Sequence, residues 1–306
     1  RDGCTKENGI LAGKIAEESA FNMFSRGGSE IEAADIQREP FEELTEEQIM
    51  DKINAFTGLT EVKQEIRSII DNIKRQKRDN PGKPVQLKSH FVFTGNPGTG
   101  KTTIARLFAD ILGSLQVLPS GHLVEVTRKD LVSQYVGDTA LKTEQVINKA
   151  MGGILFIDEA YQLVEGGEKD FGRIVMNSLL TELGRDNLDM VVILAGYTAP
   201  MKKLLESNEG IESRFPTVFN FEDYTTEELL EIGKLMIRKQ GFNLTKGAEQ
   251  NMMTIIQTES EKPSPRFGNG RFVSNLLQNE ILATLGARTS KMETPTAEDL
   301  STILPE

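Results

Sequence analysis

One segment of this sequence has the residue types and spacing that bind phosphate groups. Gly95-Asn96-Pro97-Gly98-Thr99-Gly100-Lys101-Thr102 matches the pattern G-x-x-x-x-G-K-[ST], between an apolar run and a helical pattern. Glycine lets successive backbone N–H groups curl around phosphate oxygens, and the start of the following helix adds partial positive charge. We therefore expect these residues and Thr103 to bind ATP, with Lys101 on the β- and γ-phosphates and the Thr102 hydroxyl on Mg²⁺.

Two adjacent carboxylates form a second candidate feature. Asp158 and Glu159 follow the apolar run Ile154–Ile157, which predicts a buried strand. Ligands of open parallel sheets bind at the carboxyl ends of strands. We expect Asp158 to hold Mg²⁺ through its water shell and Glu159 to polarise the attacking water as general base. Carboxylates also end strands for solubility alone, so the phosphate loop upstream is what makes this assignment specific.

The elements that must position these residues form an alternating pattern. Near-continuous apolar runs separated by helical patterns indicate a parallel sheet covered by helices on both faces, an α/β fold. The candidate strands are His90–Thr94, Leu123–Thr127, Gly153–Ile157, Met190–Ala195 and Thr217–Phe221, with helices near residues 102–112, 139–150 and 171–185.

The regions on either side of this pattern are predicted to be helical. Before it, Thr60 is expected to cap an amphipathic helix whose basic tail, residues 74–78, suits a helix C-terminus. A nucleic-acid contact is the alternative interpretation of that tail. After it, Thr225 and Glu228 form a capping box, and only helical patterns follow. We expect an N-terminal segment over 1–40, partly flexible or helical, a nucleotide-binding domain over 41–222 and a small all-helical domain over 223–306.

Composition excludes several classes of protein. The 306 residues carry 46 acidic and 35 basic side chains, a net charge of −11, whereas proteins that mainly bind nucleic acid are usually basic. No run approaches the roughly 18 apolar residues of a membrane span. Cys4 is the single cysteine. It excludes an internal disulfide framework and favours a reducing compartment, so we expect a cytoplasmic location.

The phosphate loop, the carboxylate pair and the following helical domain together resemble the AAA+ ATPases. The strings Gln134–Gly137, Met151–Tyr161 and Val192–Tyr197 resemble one branch of that superfamily. The branch contains the red-type Rubisco activase CbbX, stage V sporulation protein K and the ATPases of type VII secretion. The resemblance covers roughly residues 50–290. It implies a P-loop NTPase sheet sandwiched by helices, followed by a helical lid domain.

The resemblance also implies two arginines at the nucleotide. AAA+ proteins usually place an arginine after the fourth strand, and Arg214 is the one arginine between Pro200 and Phe221. Its guanidinium is implied to reach the γ-phosphate bound by a neighbouring subunit, although a surface arginine is the alternative. Gly268-Asn269-Gly270-Arg271 matches the sensor-2 position of the branch. Arg271 is thus implied to contact the nucleotide from the lid, with Arg266 as a rival.

Two further sites rest on the same resemblance. The branch places the adenine base near Ile53, Gly58 and Leu59, although apolar residues there also suit a core. Where many AAA+ proteins have Asn or Thr after the fourth strand, this sequence has Tyr197. A phenol can hydrogen-bond in that sensor role, or the ring can simply pack.

The loop after the second strand is implied to line a central pore. There Tyr135, Val136 and Gly137 give an aromatic residue, an apolar residue and a glycine. An exposed aromatic ring can grip a passing chain by apolar contact without reading its sequence. The alternative is a tyrosine packed beneath the loop.

The resemblance implies a Mg²⁺-dependent ATPase that assembles into a hexameric ring and remodels or threads a protein partner. A nucleic-acid motor or clamp loader shares this chemistry, but the acidic composition and the lack of an added DNA-binding module argue against it. A nucleotide-switched scaffold without useful turnover is a third possibility. The intact set of Lys101, Asp158, Glu159 and Arg214 argues against a scaffold.

Overall fold

The computed structural model describes residues 44–83, 85, 87, 89–166, 170–185, 189–262, 267–290, 296 and 301–304, all within one compact unit, Glu43–Glu306. The predicted N-terminal segment over 1–40 and the rival arginine Arg266 lie outside these ranges. Among the described helices, none has the length and apolar character needed to cross a membrane.

Five parallel strands form the central sheet. They are β1 (Phe91–Gly95), β2 (Leu123–Val126), β3 (Ile154–Ile157), β4 (Val191–Gly196) and β5 (Thr217–Phe221). The strand order is β2-β3-β4-β1-β5, so β1 lies between β4 and β5. Thr94 stands opposite Gly196 on one side and Asn220 on the other. The predicted parallel α/β sheet is confirmed.

Helices connect the strands and cover both faces of the sheet. They are α1 (Glu46–Asn54), α2 (Thr60–Asp79), α3 (Lys101–Ser114), α4 (Arg128–Leu131), α5 (Val136–Ala150), α6 (Gly172–Glu182), α7 (Thr198–Glu206) and α8 (Glu209–Arg214). A single 3₁₀ turn, Ala160–Leu163, follows β3.

The strands divide their side chains between two buried clusters. Phe91 and Phe93 pack with α1, α2 and α3 on one face, whereas Val92 packs with α5, α6 and α7 on the other. This alternation is the period-2 geometry of a strand. Strands β3 and β4 are buried and apolar at every position, which is why they could be recognised in the sequence. Strands β2 and β5 instead carry exposed residues, among them Glu125 and Asn220.

A helical lid follows β5. Its helices are α9 (Thr226–Lys239), α10 (Lys246–Ser260), α11 (Asn269–Leu276) and α12 (Leu282–Thr289), with a π-helical turn at Leu277–Ile281 between the last two. They bury a cluster of their own around Leu229, Met252, Ile256 and Val273. The helical lid is confirmed. The structure adds a parallel pair of two-residue strands, β6 (Asn243–Leu244) and β7 (Thr302–Ile303), which the sequence did not indicate.

Two helix starts differ from the sequence prediction, and one agrees. Helix α2 has Leu59 as its N-cap, in a left-handed conformation (φ 55°), so Thr60 is its first residue rather than its cap. Helix α5 begins at Val136 rather than near Thr139, because the buried Thr139 hydroxyl and N–H both donate to the Tyr135 carbonyl at 3.0 Å and close the first turn there. The capping box of Thr225 and Glu228 is present.

Candidate active site

Three neighbouring strands end at one edge of the sheet, and each leads into residues predicted to bind ATP. Strand β1 runs into the phosphate loop, β3 into Asp158 and Glu159, and β4 into Tyr197. Since the strands are parallel, these segments meet at the carboxyl edge and line one cavity of about 840 Å³. Its size suits a small-molecule ligand.

Most of the predicted nucleotide-binding residues line this cavity. They are Gly95, Pro97, Gly98, Gly100, Lys101, Thr102, Thr103, Asp158, Glu159 and Arg271. Asn96 and Thr99 instead hold the loop in shape. Asn96 Nδ2 donates to both carboxylate oxygens of Asp223, at 3.0 and 2.9 Å. Thr99 Oγ1 donates to the Asn96 carbonyl at 2.8 Å.

Lys101 lies within the curve of the loop. Its Nζ donates to the carbonyl oxygens of Gly95 and Asn96 at 2.8 and 2.7 Å. Burial lowers the pKa of Lys101 to about 8, with the Asp158 carboxylate opposing the shift and the Arg271 guanidinium adding to it. The ammonium is therefore charged near neutral pH but holds its proton less firmly than an exposed lysine does.

Two of the loop glycines are required by close approaches of other backbone. The φ angles of Gly95 and Gly98 are 150° and 73°. A Cβ at Gly95 would lie 2.3 Å from the Phe221 carbonyl oxygen, and one at Gly98 would lie 2.2 Å from that of Gly268. Glycine at position 98 therefore lets the lid dock directly onto the phosphate loop.

The two adjacent carboxylates occupy the turn after β3. Glu159 has a left-handed backbone (φ 51°), an uncommon conformation for a residue with a side chain and one that clusters at functional sites. Its N–H donates to Asp158 Oδ1 at 3.0 Å, and its Oε2 accepts from Gln162 Nε2 at 2.5 Å. Gln162 thus holds the Glu159 carboxylate, a contact that the sequence analysis missed.

The oxygen donors of the cavity fit Mg²⁺. Thr102 supplies a hydroxyl and Asp158 a carboxylate. Within the described ranges, no three His, Cys, Asp or Glu side chains come together to hold a metal. Mg²⁺ suits such a sparse set because it keeps several water ligands and binds through one or two protein groups together with substrate phosphates.

The lid contributes a hydrogen-bond donor that sequence reasoning also missed. The Tyr224 hydroxyl donates to the Thr99 carbonyl at 3.1 Å. Burial, together with the Glu228 carboxylate, raises the pKa of Tyr224 to about 12. The phenol therefore remains a donor at any physiological pH. Tyr224 directly follows Asp223 at the start of the lid, and no local sequence pattern there indicates that it contacts the phosphate loop.

The apolar end of the cavity differs from the predicted adenine pocket. Phe56, Leu107, Ile232, Leu235 and Met236 line it. The three predicted residues are not among the lining residues. Ile53 is 1% exposed within the core, Leu59 packs against that core, and a Cβ at Gly58 would meet the Glu228 carboxylate. Ile53 is in the core because Ile49 and Ile53 share the buried face of α1.

Arg214 and Tyr197 occupy different places relative to the cavity. Arg214 does not line it, and its Nη1 donates to the Gly210 carbonyl of the same helix at 3.2 Å. Tyr197 does line it, and its ring also packs against that of Tyr161 with centroids 6.0 Å apart. The packing interpretation of Tyr197 is therefore met, and its place at the cavity is compatible with the sensor role, which stays a prediction.

Among the residues that the structure describes, Tyr135 has the most exposed large hydrophobic side chain. It is 69% exposed at the N-terminus of α5, while Thr139 beneath it is fully buried. The alternative of a ring packed under the loop therefore does not hold. Val136 and Gly137 belong to the first turn of α5 rather than to a loop, and a Cβ at Gly137 would meet only open space.

Comparison with known families agrees with this geometry. The ATPase family associated with various cellular activities (AAA) matches residues 91–223, and the AAA lid domain matches residues 225–306. The chain belongs to the AAA family of ATPases, and its activity is ATP hydrolysis.

Two relatives confirm the branch that the sequence resembles. Stage V sporulation protein K of Bacillus subtilis (strain 168) is 42% identical over 239 residues, covering 77% of this chain and 74% of that protein. The chloroplastic ribulose bisphosphate carboxylase/oxygenase activase of Cyanidioschyzon merolae is 41% identical over 279 residues, 85% and 92% of the two chains.

A solved structure shares the fold. The RuvB Holliday junction branch migration motor of Thermotoga maritima has a TM-score of 0.52 at 18% sequence identity, covering 80% of this chain and 67% of that chain. At that identity, the likeness concerns the fold alone.

Proposed function

We propose that this AAA ATPase hydrolyses ATP with Mg²⁺ in the described cavity, works as a homo-oligomeric ring and uses the cycle to remodel or thread a protein partner. One observation carries the proposal. Lys101, Thr102, Asp158 and Glu159, which come from two separate strand ends, line the same cavity. This is the set of groups that phosphoryl transfer to water requires.

Each of these side chains has a distinct task. Lys101 neutralises charge on the β- and γ-phosphates, and the loop N–H groups position them. Thr102 and Asp158 would hold Mg²⁺, which offsets the negative charge of the phosphates. Glu159 accepts the proton of the attacking water, and the Gln162 amide fixes the carboxylate oxygen that does not take that proton. Arg271 adds a second positive charge from the lid.

Ring assembly is supported by the position of Arg214. Because this arginine does not line the cavity of its own chain, it can act on a nucleotide only from another subunit. A guanidinium at the γ-phosphate offsets charge that develops during transfer. We therefore propose that Arg214 completes the site of the adjacent subunit, in a hexamer as the family resemblance implies.

A protein partner is supported by two observations. One relative is named as an activase of ribulose bisphosphate carboxylase/oxygenase, which is itself a protein. In this chain the Tyr135 ring is exposed, while its backbone carbonyl accepts a hydrogen bond from the Thr139 hydroxyl. The backbone is therefore fixed where the side chain would contact a protein partner. Nucleic acid is disfavoured by the net charge of −11.

The proposal also covers the domain boundary and the cellular location of the protein. We place the boundary between the nucleotide-binding domain and the lid at residue 222, where β5 has just ended. The single cysteine of the sequence supports a cytoplasmic location.

Replacing Glu159 by Gln tests the catalytic assignment. The variant keeps the shape of the side chain and an oxygen for the Gln162 amide but cannot accept a proton. We expect unchanged ATP affinity and turnover lower by about 10²-fold or more, the usual effect of losing a general base. Phosphate release measures turnover, and equilibrium titration measures affinity.

The matched control is Glu206→Gln, which alters an exposed carboxylate of α7 away from the cavity. It should hydrolyse ATP at the parent rate. Parent-rate hydrolysis by the Glu159→Gln protein would show that another group acts as base. Because the Glu159→Gln protein should retain ATP, it is also the variant with which to capture the protein partner.

A further inference from the structure

Five successive backbone carbonyls of the phosphate loop, at residues 95–99, each accept a hydrogen bond. Lys101 Nζ donates to the carbonyls of Gly95 and Asn96. The next three carbonyls receive donors from the lid. They are Asn269 Nδ2 on Pro97 (3.4 Å), the Gly270 N–H on Gly98 (3.0 Å) and the Tyr224 hydroxyl on Thr99 (3.1 Å). Because these carbonyls are satisfied, the loop can present its N–H groups to phosphates without leaving buried acceptors unpaired.

Asn269 is the centre of the lid contribution. It is fully buried and has a left-handed backbone (φ 46°). Its Oδ1 accepts from the Tyr224 N–H at 3.0 Å, and its Nδ2 donates to Asp223 Oδ1 at 2.7 Å. A carboxylate in its place could not donate, and an alanine could do neither. Asn269 thus combines an uncommon backbone conformation with a side-chain amide whose oxygen and nitrogen both form hydrogen bonds. This combination indicates that few other residue types would fit at this position.

Asp223 joins the lid to the loop. Its carboxylate accepts from Asn269 on the lid side and from Asn96 on the loop side, where the distances are 3.0 and 2.9 Å. Hydrogen bonds to an ionised acceptor are about twice as strong as neutral ones. The carboxylate also favours the charged form of Lys101. One side chain therefore contacts both the lid and the phosphate loop.

We propose that Asn269 and Asp223 are positioning residues that clasp the lid to the phosphate loop, so that lid docking and nucleotide binding become one coupled event. The inference rests on the proposed role of the loop as the ATP site. When Lys101 donates to the phosphates, it no longer donates to the Gly95 and Asn96 carbonyls. The hydrogen bonds that the lid donates to the other loop carbonyls remain. A lid that cannot dock would leave the loop poorly ordered and the affinity low.

The test is a charge swap read out by ADP binding. Asn269→Asp places two carboxylates in contact, and we expect ADP to bind at least about tenfold more weakly, the low end for a lost bond to a charged group. Adding Asp223→Asn restores a donor–acceptor pair of reversed polarity, because the amide introduced at position 223 can donate to the new carboxylate. The double variant should recover a measurable part of the lost affinity but not all of it, because a carboxylate at position 269 still cannot donate to the Pro97 carbonyl.

Amide hydrogen exchange supplies the readout that distinguishes coupling from a general loss of stability. In the parent protein, saturating ADP should slow exchange in both the loop, residues 95–101, and helix α11. In Asn269→Asp at saturating ADP, the loop should be protected while α11 exchanges as it does without ADP. If Asn269→Asp does not fold, Asn269→Gly carries the same test, since glycine accepts the left-handed backbone and removes the whole side chain together with its hydrogen bonds.

Asn208→Gly is the matched control, because Asn208 caps α8 with its side chain on the Gly210 N–H and does not line the cavity. Its ADP affinity should equal that of the parent. Parent-like affinity in Asn269→Asp, ADP protection of both segments in it, or a swap that fails to recover would each overturn the clasp. Failure of the parent protein itself to bind ADP would instead refute the proposed nucleotide site, on which the clasp depends.

Discussion

The lowered pKa of Lys101 makes nucleotide affinity depend on pH in a calculable way. The pKa is about 8 in this structure, and the causes are burial and the nearby Arg271. Phosphate oxygens placed against the ammonium must raise that pKa, because opposite charge favours the protonated form. Binding therefore takes up a proton whenever the free site has lost one. The affinity should fall as the pH rises through 8 and should be nearly constant below about 7.

The magnitude follows from the pKa alone. With a free-site pKa of about 8, roughly one site in eleven lacks the proton at pH 7, and about ten in eleven lack it at pH 9. If the bound site remains protonated, ATP should bind about tenfold more weakly at pH 9 than at pH 7. Proton uptake on binding should rise from about 0.1 at pH 7 to nearly one at pH 9.

Isothermal titration calorimetry on the Glu159→Gln protein measures both quantities without hydrolysis. Repeating the titration in buffers of different ionisation enthalpy counts the protons taken up. Lys101→Ala is the control, since it binds ATP weakly but retains every other titrating group, including the phosphates of ATP. Its affinity should be nearly independent of pH between 7 and 9. An equal fall in both proteins, or no fall in the Glu159→Gln protein, would refute the assignment of the proton to Lys101.

Two further predictions concern assembly and the protein partner. Arg214→Ala should lower turnover by about 10³-fold or more in pure rings and should inhibit parent subunits when the two are mixed. Activity strictly proportional to the parent fraction would exclude action between subunits. Because the Tyr135 ring is 69% exposed, Tyr135→Ala should change the free energy of unfolding by at most about 0.5 kcal/mol. It should keep ATPase activity yet lose partner remodelling, and normal remodelling by a folded, assembled Tyr135→Ala protein would contradict the proposed grip.

The sequence predicted those parts of the fold that depend on local patterns. Strands such as Ile154–Ile157 are apolar at every position because both sheet faces are covered, so their existence and order were evident. The carboxylate pair was found because it directly follows such a strand. The start of α5 was missed, because it depends on what the Thr139 side chain bonds in three dimensions, which residue type alone does not show.

The apolar end of the cavity was missed for a different reason. Its apolar surface combines Phe56 from the turn after α1 with Ile232, Leu235 and Met236 from α9. These residues lie far apart in the chain, and each is an ordinary apolar residue of its own segment. Only the position of the lid over the sheet edge brings them together, and periodicity within one helix contains no information about that position.

Gly98 illustrates what the phosphate-loop motif does not predict. The phosphate-loop pattern leaves position 98 free, so the pattern gives no reason for a glycine there. The structure does, because the carbonyl of Gly268 lies where a side chain would begin. Glycine is therefore required at position 98 both by the backbone of the loop itself (φ 73°) and by the lid, 170 positions further along the chain. A side chain at position 98 would therefore displace the lid from the phosphate loop, whatever the phosphates require.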